Sequence, residues 1–125
     1  MIIGTGIDII DVKRIDQAHE RWGDKFLRKF LCAEEIEYCL RQSNPALSIA
    51  ARFAGKEAIS KAFGTGIGGK LNWHDIEIAH QEHGRPIARL HGKADGLFSE
   101  LGGRNVHISL SHNGGQAAAL AVLEA

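Results

Sequence analysis

The sequence predicts an α+β fold in which helices pack on a mostly antiparallel sheet. Three features of the chain support this fold class. An isoleucine-rich strand pattern opens the chain at residues 2–10, and helical spacing of apolar residues follows it up to residue 63. Near the end, apolar residues alternate with polar ones before the hairpin signal His112-Asn113-Gly114-Gly115. With the segments between them, these patterns give the element order β-ααα-ββ-α-ββ.

Length and composition predict one domain spanning residues 1–125. The 15 basic and 15 acidic residues cancel, so no overall charge indicates a nucleic acid or a membrane as partner. No apolar run approaches the roughly 20 residues needed to cross a bilayer. The first ten residues lack the basic segment of a signal peptide, so we expect a cytoplasmic protein. Cys32 and Cys39 lack the spacing of a zinc site and are expected to be free thiols.

Residues 2–10 are predicted to form a buried strand because five of them are isoleucines. Asp8 lies in the middle of this segment. A carboxylate among apolar side chains is costly unless it is paired or binds a cation. Asp8 is therefore a candidate ligand for a hard metal ion, with a capping or hydrogen-bonded core role as the alternative.

The first helix is predicted to run from Val12 to Phe26, with Asp11 as its cap. Four basic residues fall within about 60° of one another on an ideal helical wheel. They are Arg14, Arg21, Lys25 and Arg28. A helix break at Gly23 would disturb this alignment. The stripe is either an ordinary solvated face or a docking surface for an acidic partner helix.

Two more helices are expected before the middle of the chain. One spans residues 30–40, and the next spans residues 46–63, with Pro45 suited to its first turn and Gly64 to its end. Positions four apart share a helix face, which places Ile49, Phe53, Glu57 and Lys61 in one row. Taken alone, Glu57 and Lys61 are an ordinary exposed pair worth a few tenths of a kcal/mol.

The second half of the chain is predicted to be mainly strands. Residues 73–79 and 87–90 form two strands around a turn at 82–86. Residues 92–101 form a short helix that ends at two glycines. The last two strands span residues 106–111 and 116–123, although the composition of the final segment alone also permits a helix.

Asp8, Glu57 and Lys61 together suit phosphoryl-type transfer. A Mg²⁺ site needs few protein oxygens because the ion keeps waters and takes further ligands from substrate phosphate. A nearby lysine offsets charge on the leaving side of such a reaction.

The glycine run at residues 64–69 follows a helix, whereas a P-loop precedes one, so a Walker-type site is excluded. A phosphate bound at this loop would depend on Lys61, Lys56, Arg52, a metal ion or backbone amides. His112 at the hairpin corner is either structural or a phosphate contact as an imidazolium.

Three segments resemble the holo-acyl-carrier-protein synthase family, the short trimeric 4′-phosphopantetheinyl transferases. These are GTGIDIIDVKRI at 4–15, ARFAGKEAISKAFGTGIG at 51–68 and HISLSH at 107–112. Shorter matches between them extend the resemblance over nearly the whole chain. The first two segments are specific in combination, whereas either alone would be weak.

The resemblance implies transfer of the 4′-phosphopantetheine arm of coenzyme A to a serine of an acyl carrier protein. Asp8 and Glu57 match the family's Mg²⁺ ligands, with Mn²⁺ as a possible substitute, and Lys61 matches the lysine near the pyrophosphate. The residues that match coenzyme A contacts are Arg52, Lys61, Gly64, Thr65, Gly66, Pro86 and His112. The basic stripe of Arg14, Arg21, Lys25 and Arg28 matches the docking surface for the acidic carrier. The resemblance also implies a homotrimer with its sites between subunits.

Two positions depart from the family pattern. Gly55 stands where alanine is usual, and His83 stands where Asn or Asp is more usual. The proton acceptor for the carrier serine is either Glu57 or a metal-bound water. Two other functions stay open: a coenzyme-A- or carrier-binding scaffold without transfer activity, and a phosphotransferase acting on another pyrophosphate.

Overall fold

The computed structural model describes residues 1–125. Its helices and strands follow the chain as β1 (Ile2–Asp11), α1 (Val12–Trp22), α2 (Asp24–Phe30), α3 (Ala33–Leu40), α4 (Pro45–Phe63), β2 (Ile76–His80), β3 (Pro86–Leu90), α5 (Gly92–Glu100), β4 (Asn105–Asn113) and β5 (Gln116–Glu124). The predicted α+β class is confirmed, with one helix more than the predicted order contains. No helix is long and apolar enough to cross a membrane.

The additional helix arises at Gly23, which divides the predicted first helix into α1 and α2. Gly23 has φ 59°, a left-handed value that glycine adopts without steric cost. Arg14 and Arg21 therefore lie on α1, whereas Lys25 and Arg28 lie on α2. The prediction that these four residues share one continuous helix face is wrong, although all four side chains are exposed.

Helix α4 is the central element of the fold and most of its residues are buried. The Asn44 side chain accepts a hydrogen bond from the Leu47 amide at 3.3 Å and caps the helix start, where Pro45 occupies the first turn. The helix ends at Phe63, and Gly64 caps it in a left-handed conformation with φ 82°. Both predicted boundary residues are thus confirmed.

The strands form two antiparallel sheets, whereas one was predicted from the sequence. In the larger sheet the order is β1-β5-β4, and β2 pairs with β3 in the smaller one. The final segment is a strand, because β5 pairs with β1 on one side and β4 on the other. Trp73–Asp75, predicted as strand, forms a single 3-10 turn in which the Asn72 amide donates to Asp75 Oδ2 at 3.1 Å.

Two glycines of β1 allow the strand to lie directly on the backbone of α4. A Cβ atom on Gly4 would lie 2.0 Å from the Ala62 carbonyl oxygen, and one on Gly6 would lie 1.9 Å from that of Ala58. Real side chains do not tolerate such distances, so only glycine permits this approach. The glycines therefore fix Asp8, two residues further along β1, close to α4.

A glycine also permits close packing on the other side of α4. A Cβ atom on Gly55 would lie 2.4 Å from Ile78 Cδ1 and 3.2 Å from Ile108 Cδ1. Gly55 thus gives room to these two side chains. His83 lies exposed in the turn between β2 and β3.

The outer face of the larger sheet is apolar and open. Ile7 is 67% exposed, Ile9 is 61% exposed, and Leu120, which pairs with Ile7, is 45% exposed. The prediction of a buried β1 is therefore wrong for this face, because alternate residues of a strand point to opposite sides and α4 covers only one of them. Cys32 and Cys39 form no disulfide bond.

Candidate active site

Asp8 and Lys61 meet across the junction of β1 and α4. Lys61 Nζ donates to Asp8 Oδ1 at 2.9 Å and to the Ile7 carbonyl oxygen at 2.9 Å. The Asp8 side chain is only 16% exposed, which strengthens this ion pair relative to one at the surface. Lys61 thus forms its ion pair with Asp8 on another element, and not with Glu57 one turn earlier on α4.

Glu57 lies beside this pair. Asp8 and Glu57 line the same cavity of about 370 Å³, together with Arg14, Phe53 and Gln116. Burial and, after it, the negative charge of Asp8 raise the pKa of Glu57, while Lys61 acts in the opposite direction. Two neighbouring carboxylates of this kind take up a proton or a hard cation readily.

No group of three or more His, Cys, Asp or Glu side chains is arranged to hold a metal ion. Asp8 and Glu57 are the candidate carboxylate ligands in their cavity. Asp11 also lines the cavity, where it accepts a hydrogen bond from Gln116 Nε2 at 3.1 Å. Such a set fits Mg²⁺, which binds through one or two carboxylates and completes its shell with water and substrate phosphate. It does not fit zinc, which is bound by three or four protein ligands that are mainly His and Cys.

A second cavity, of about 320 Å³, lies between α3, the start of α4 and β4, and it contains Arg52 and His112. Tyr38 and His80 also line it, and neither was predicted from the sequence. Their rings stack with centroids 4.7 Å apart, and the Arg52 guanidinium carbon lies 4.3 Å from the Tyr38 ring. No motif marks these two residues, because only the tertiary fold brings α3 and β2 together.

His80 Nδ1 lies 3.1 Å from Arg52 Nη2. Because arginine can only donate, Nδ1 accepts this hydrogen bond and the proton of the neutral ring lies on Nε2. Burial and, after it, the Arg52 charge lower the pKa of His80. The ring is consequently held in its neutral form next to the guanidinium.

The other predicted coenzyme A contacts do not line these two cavities. Gly64, Thr65 and Gly66 form the turn after α4, where the Gly66 amide donates to the Ser60 carbonyl oxygen at 3.2 Å. Pro86 pairs with His80 in the smaller sheet.

Lys56, considered above as a phosphate contact, is 0% exposed. Its ammonium group donates to three protein acceptors, so it is not available to a ligand.

The basic residues of α1 and α2 have different surroundings. Arg14 lines the cavity of Asp8 and Glu57, which is called the acidic cavity below. Arg21 lies over the Trp22 ring at 5.0 Å, and Arg28 pairs with Asp24. Lys25 borders an apolar groove of about 260 Å³. The remaining residues of this groove, which the sequence analysis did not single out, are Ala18, Trp22, Phe26 and Lys29.

Comparison with known proteins identifies the family. The model of the 4′-phosphopantetheinyl transferase superfamily matches residues 4–121. The chain belongs to this superfamily. The resemblance inferred from the sequence segments is thereby confirmed.

Individual members of the superfamily match almost end to end. The holo-[acyl-carrier-protein] synthase of Koribacter versatilis (strain Ellin345) is 48% identical over 124 residues, covering 99% of this chain and 99% of that protein. The crystal structure of the Neisseria meningitidis synthase has a TM-score of 0.92 at 34% identity, with 100% of both chains covered. The Helicobacter pylori synthase in complex with coenzyme A has a TM-score of 0.86 at 35% identity, covering 96% of this chain and 99% of that one.

Proposed function

We propose that this chain transfers the 4′-phosphopantetheine arm of coenzyme A to a serine of an acyl carrier protein, releasing adenosine 3′,5′-bisphosphate. The observation that supports it most directly is the meeting of Asp8, Glu57 and Lys61 at the junction of β1 and α4. Residues 1–125 act as one transferase domain. The reaction supplies holo-carrier for fatty acid synthesis in the cytoplasm.

Asp8 and Glu57 would hold a Mg²⁺ ion, or Mn²⁺ in its place. When bound there, the ion neutralises and orients the pyrophosphate of coenzyme A. Lys61, already fixed by Asp8 at 2.9 Å, adds a positive charge on the side of the leaving phosphate.

The carrier serine is the nucleophile of the reaction. Its Oγ attacks the β-phosphorus of coenzyme A, and the bond from that phosphorus to the bridging oxygen breaks as adenosine 3′,5′-bisphosphate leaves. Glu57, which lines the same cavity as Asp8, accepts the serine proton as general base. Glu57 thus takes the proton on the attacking side, and Lys61 offsets the negative charge on the leaving side.

Coenzyme A binds in the cavity of Arg52 and His112, where its phosphates meet a guanidinium. Gly64, Thr65 and Gly66, in the turn after α4, and Pro86, at the start of β3, contribute further contacts to coenzyme A outside this cavity. Two observations support this: the positively charged Arg52 side chain lines the cavity, and the structure of the Helicobacter pylori relative is a coenzyme A complex.

The acidic carrier docks on α1 and α2. Arg14, Arg21, Lys25 and Arg28 supply complementary charge, and the groove beside Trp22 supplies an apolar anchor. Trp22 is 55% exposed, and a large aromatic side chain at a charged surface is typical of a binding hot spot.

The working form is a homotrimer with its sites between subunits. The apolar outer face of Ile7, Ile9 and Leu120 supports this proposal, because such a face is rarely left open on a monomer. Burying it between copies would place neighbouring subunits beside β1, which contains Asp8.

A mass measurement tests the transfer activity. Apo-carrier incubated with the chain, coenzyme A and Mg²⁺ should gain roughly 340 Da, the mass of one covalently bound phosphopantetheine arm. Omitting coenzyme A, or adding EDTA, should prevent the gain. No gain with several carriers would favour a binding scaffold, and a gain only with another pyrophosphate donor would favour a different phosphotransferase.

A further inference from the structure

Three charged side chains, one acidic and two basic, are buried together next to the cavity that Arg52 and His112 line. Glu35 is 2% exposed, Arg52 is 2% exposed and Lys56 is 0% exposed. A buried charge is costly unless a partner compensates it. One carboxylate cannot fully compensate two cations, so the geometry decides which cation makes the closer contact with Glu35.

Lys56 takes the carboxylate. Its Nζ donates to Glu35 Oε1 at 2.8 Å, to the Phe30 carbonyl oxygen at 2.5 Å and to the Trp73 carbonyl oxygen at 3.2 Å. All three donors of the ammonium group are therefore used. The Ile78 amide donates to the other oxygen of Glu35 at 3.1 Å.

Arg52 shares the Glu35 carboxylate only through a longer ion-pair contact. Its Nε lies 4.0 Å from Glu35 Oε2, beyond hydrogen-bond distance, and is the one buried side-chain polar atom that has no partner. Nη1 donates to Ser48 Oγ at 3.1 Å, and Nη2 donates to the neutral His80 ring. No Asp or Glu lines the cavity that Arg52 borders.

We propose that Lys56 is a positioning residue that keeps Arg52 available to the phosphates of coenzyme A by neutralising Glu35. Lys56 contacts no ligand in this proposal. In its absence, Glu35 would draw the guanidinium of Arg52 from 4.0 Å into a hydrogen-bonded contact and away from the cavity. The proposal rests on the proposed function, because it takes coenzyme A as the ligand of Arg52.

The test is the affinity for coenzyme A of Lys56→Met, which preserves the side-chain length and removes the charge. The dissociation constant, measured by calorimetry, should rise about tenfold or more, with kcat at saturating coenzyme A within about twofold of the wild type. In an Arg52→Gln background, Lys56→Met should cause no further loss of affinity. An unchanged dissociation constant, or an equal loss in the Arg52→Gln background, would overturn the proposal.

The double variant Glu35→Gln/Lys56→Met separates positioning from packing. It lacks the ammonium group but also lacks the carboxylate that would capture Arg52. Its affinity for coenzyme A should return to within about threefold of the wild type. A tenfold loss of affinity in this variant would overturn the proposal. If Lys56→Met does not fold, the comparison of the double variant with the wild type is the test.

Wild-type transfer to a carrier is measured in parallel. If the wild type neither binds coenzyme A nor modifies a carrier, the proposed function fails. If it does both while Lys56→Met binds coenzyme A normally, only the role of Lys56 fails.

Discussion

Asp8 and Glu57 differ in how their charges are balanced. Asp8 has Lys61 at 2.9 Å, whereas Glu57 makes no ion pair and is half buried. Desolvation and the charge of Asp8 therefore raise the pKa of Glu57. This difference between neighbours suits Glu57 for accepting a proton and Asp8 for a fixed negative charge.

Replacing Glu57 by Gln should lower the rate of carrier modification by about a hundredfold or more, because both the proposed base and a proposed metal ligand are lost. The thermal midpoint should not fall, because the removed carboxylate is held at a cost next to Asp8. Mass spectrometry and thermal denaturation measure the two effects. Glu100→Gln, an exposed acid at the end of α5, is the matched control. Full activity of Glu57→Gln would refute the assignment.

The lowered pKa of His80 predicts that part of the free energy of unfolding is lost in acid. Its pKa is lowered in the folded chain from 6.5, so the unfolded chain binds the proton first as the pH falls. The stabilisation is thus complete above the unfolded value and is lost as the pH falls through that value toward the lowered one. His80→Asn keeps an acceptor for Arg52 and removes the titration.

The free energy of unfolding should therefore fall more steeply for the wild type than for His80→Asn between about pH 7.5 and about pH 5. Chemical denaturation at a series of pH values measures it. Parallel curves for the two proteins would contradict this account of His80.

At the scale of elements, the contact between β1 and α4 positions the acidic cavity. The backbone of β1 approaches α4 because Gly4 and Gly6 have no side chains. The strand supplies Asp8, and the helix supplies Glu57 and Lys61. How closely β1 approaches α4 thus determines whether Asp8 lies near Glu57 and Lys61.

Gly6→Ala should lower the free energy of unfolding by about 3 kcal/mol, because its Cβ would lie 1.9 Å from the Ala58 carbonyl oxygen. It should also slow transfer by moving Asp8 away from Glu57. The control is Gly96→Ala in α5, where no atom lies within 4 Å and helix propensity should raise stability by about 0.5–1 kcal/mol. Urea denaturation compares them, and equal stability of the two variants would exclude this packing role.

The basic residues of α1 and α2 lead to a separate prediction about carrier binding. Reversing the charge of Arg21 and Lys25 with Glu should raise the apparent KM for the carrier about tenfold and flatten its salt dependence. Arg14 is not used, because it also lines the cavity of Asp8 and Glu57. Steady-state kinetics at several salt concentrations, with Lys93→Glu on α5 as control, measure the effect. An unchanged KM would identify the stripe as an ordinary solvated surface.

The sequence predicted the type of most elements because helix and strand periodicities are local properties. Pro45 and Gly64 marked the ends of α4 for the same reason. The Glu35–Lys56 pair could not be predicted, because its members lie on different helices and only tertiary packing joins them. The 3-10 turn before β2 was missed because its local hydrogen bond from Asn72 to Asp75 competes with strand formation.

At the scale of the whole molecule, the exposed sheet face indicates an assembly. If the proposed trimer forms, Ile7→Glu should yield monomers and reduce transfer, because a charge would be buried between copies. Light scattering coupled to gel filtration measures the mass. Leu101→Glu, at an exposed apolar residue (41% exposed) that follows α5, should leave the mass unchanged. A monomeric wild type, or a trimeric Ile7→Glu, would contradict the proposed trimer.

Gly55 has a consequence for which pairs of residues its position and that of Ile78 can accept. The space that a methyl group would occupy there is filled by the Cδ1 atom of Ile78, at 2.4 Å from the Cβ position. A substitution at either position alone would leave a clash or a void. The two positions are therefore expected to have changed together during evolution, with alanine on the helix accompanying a shorter side chain on the strand.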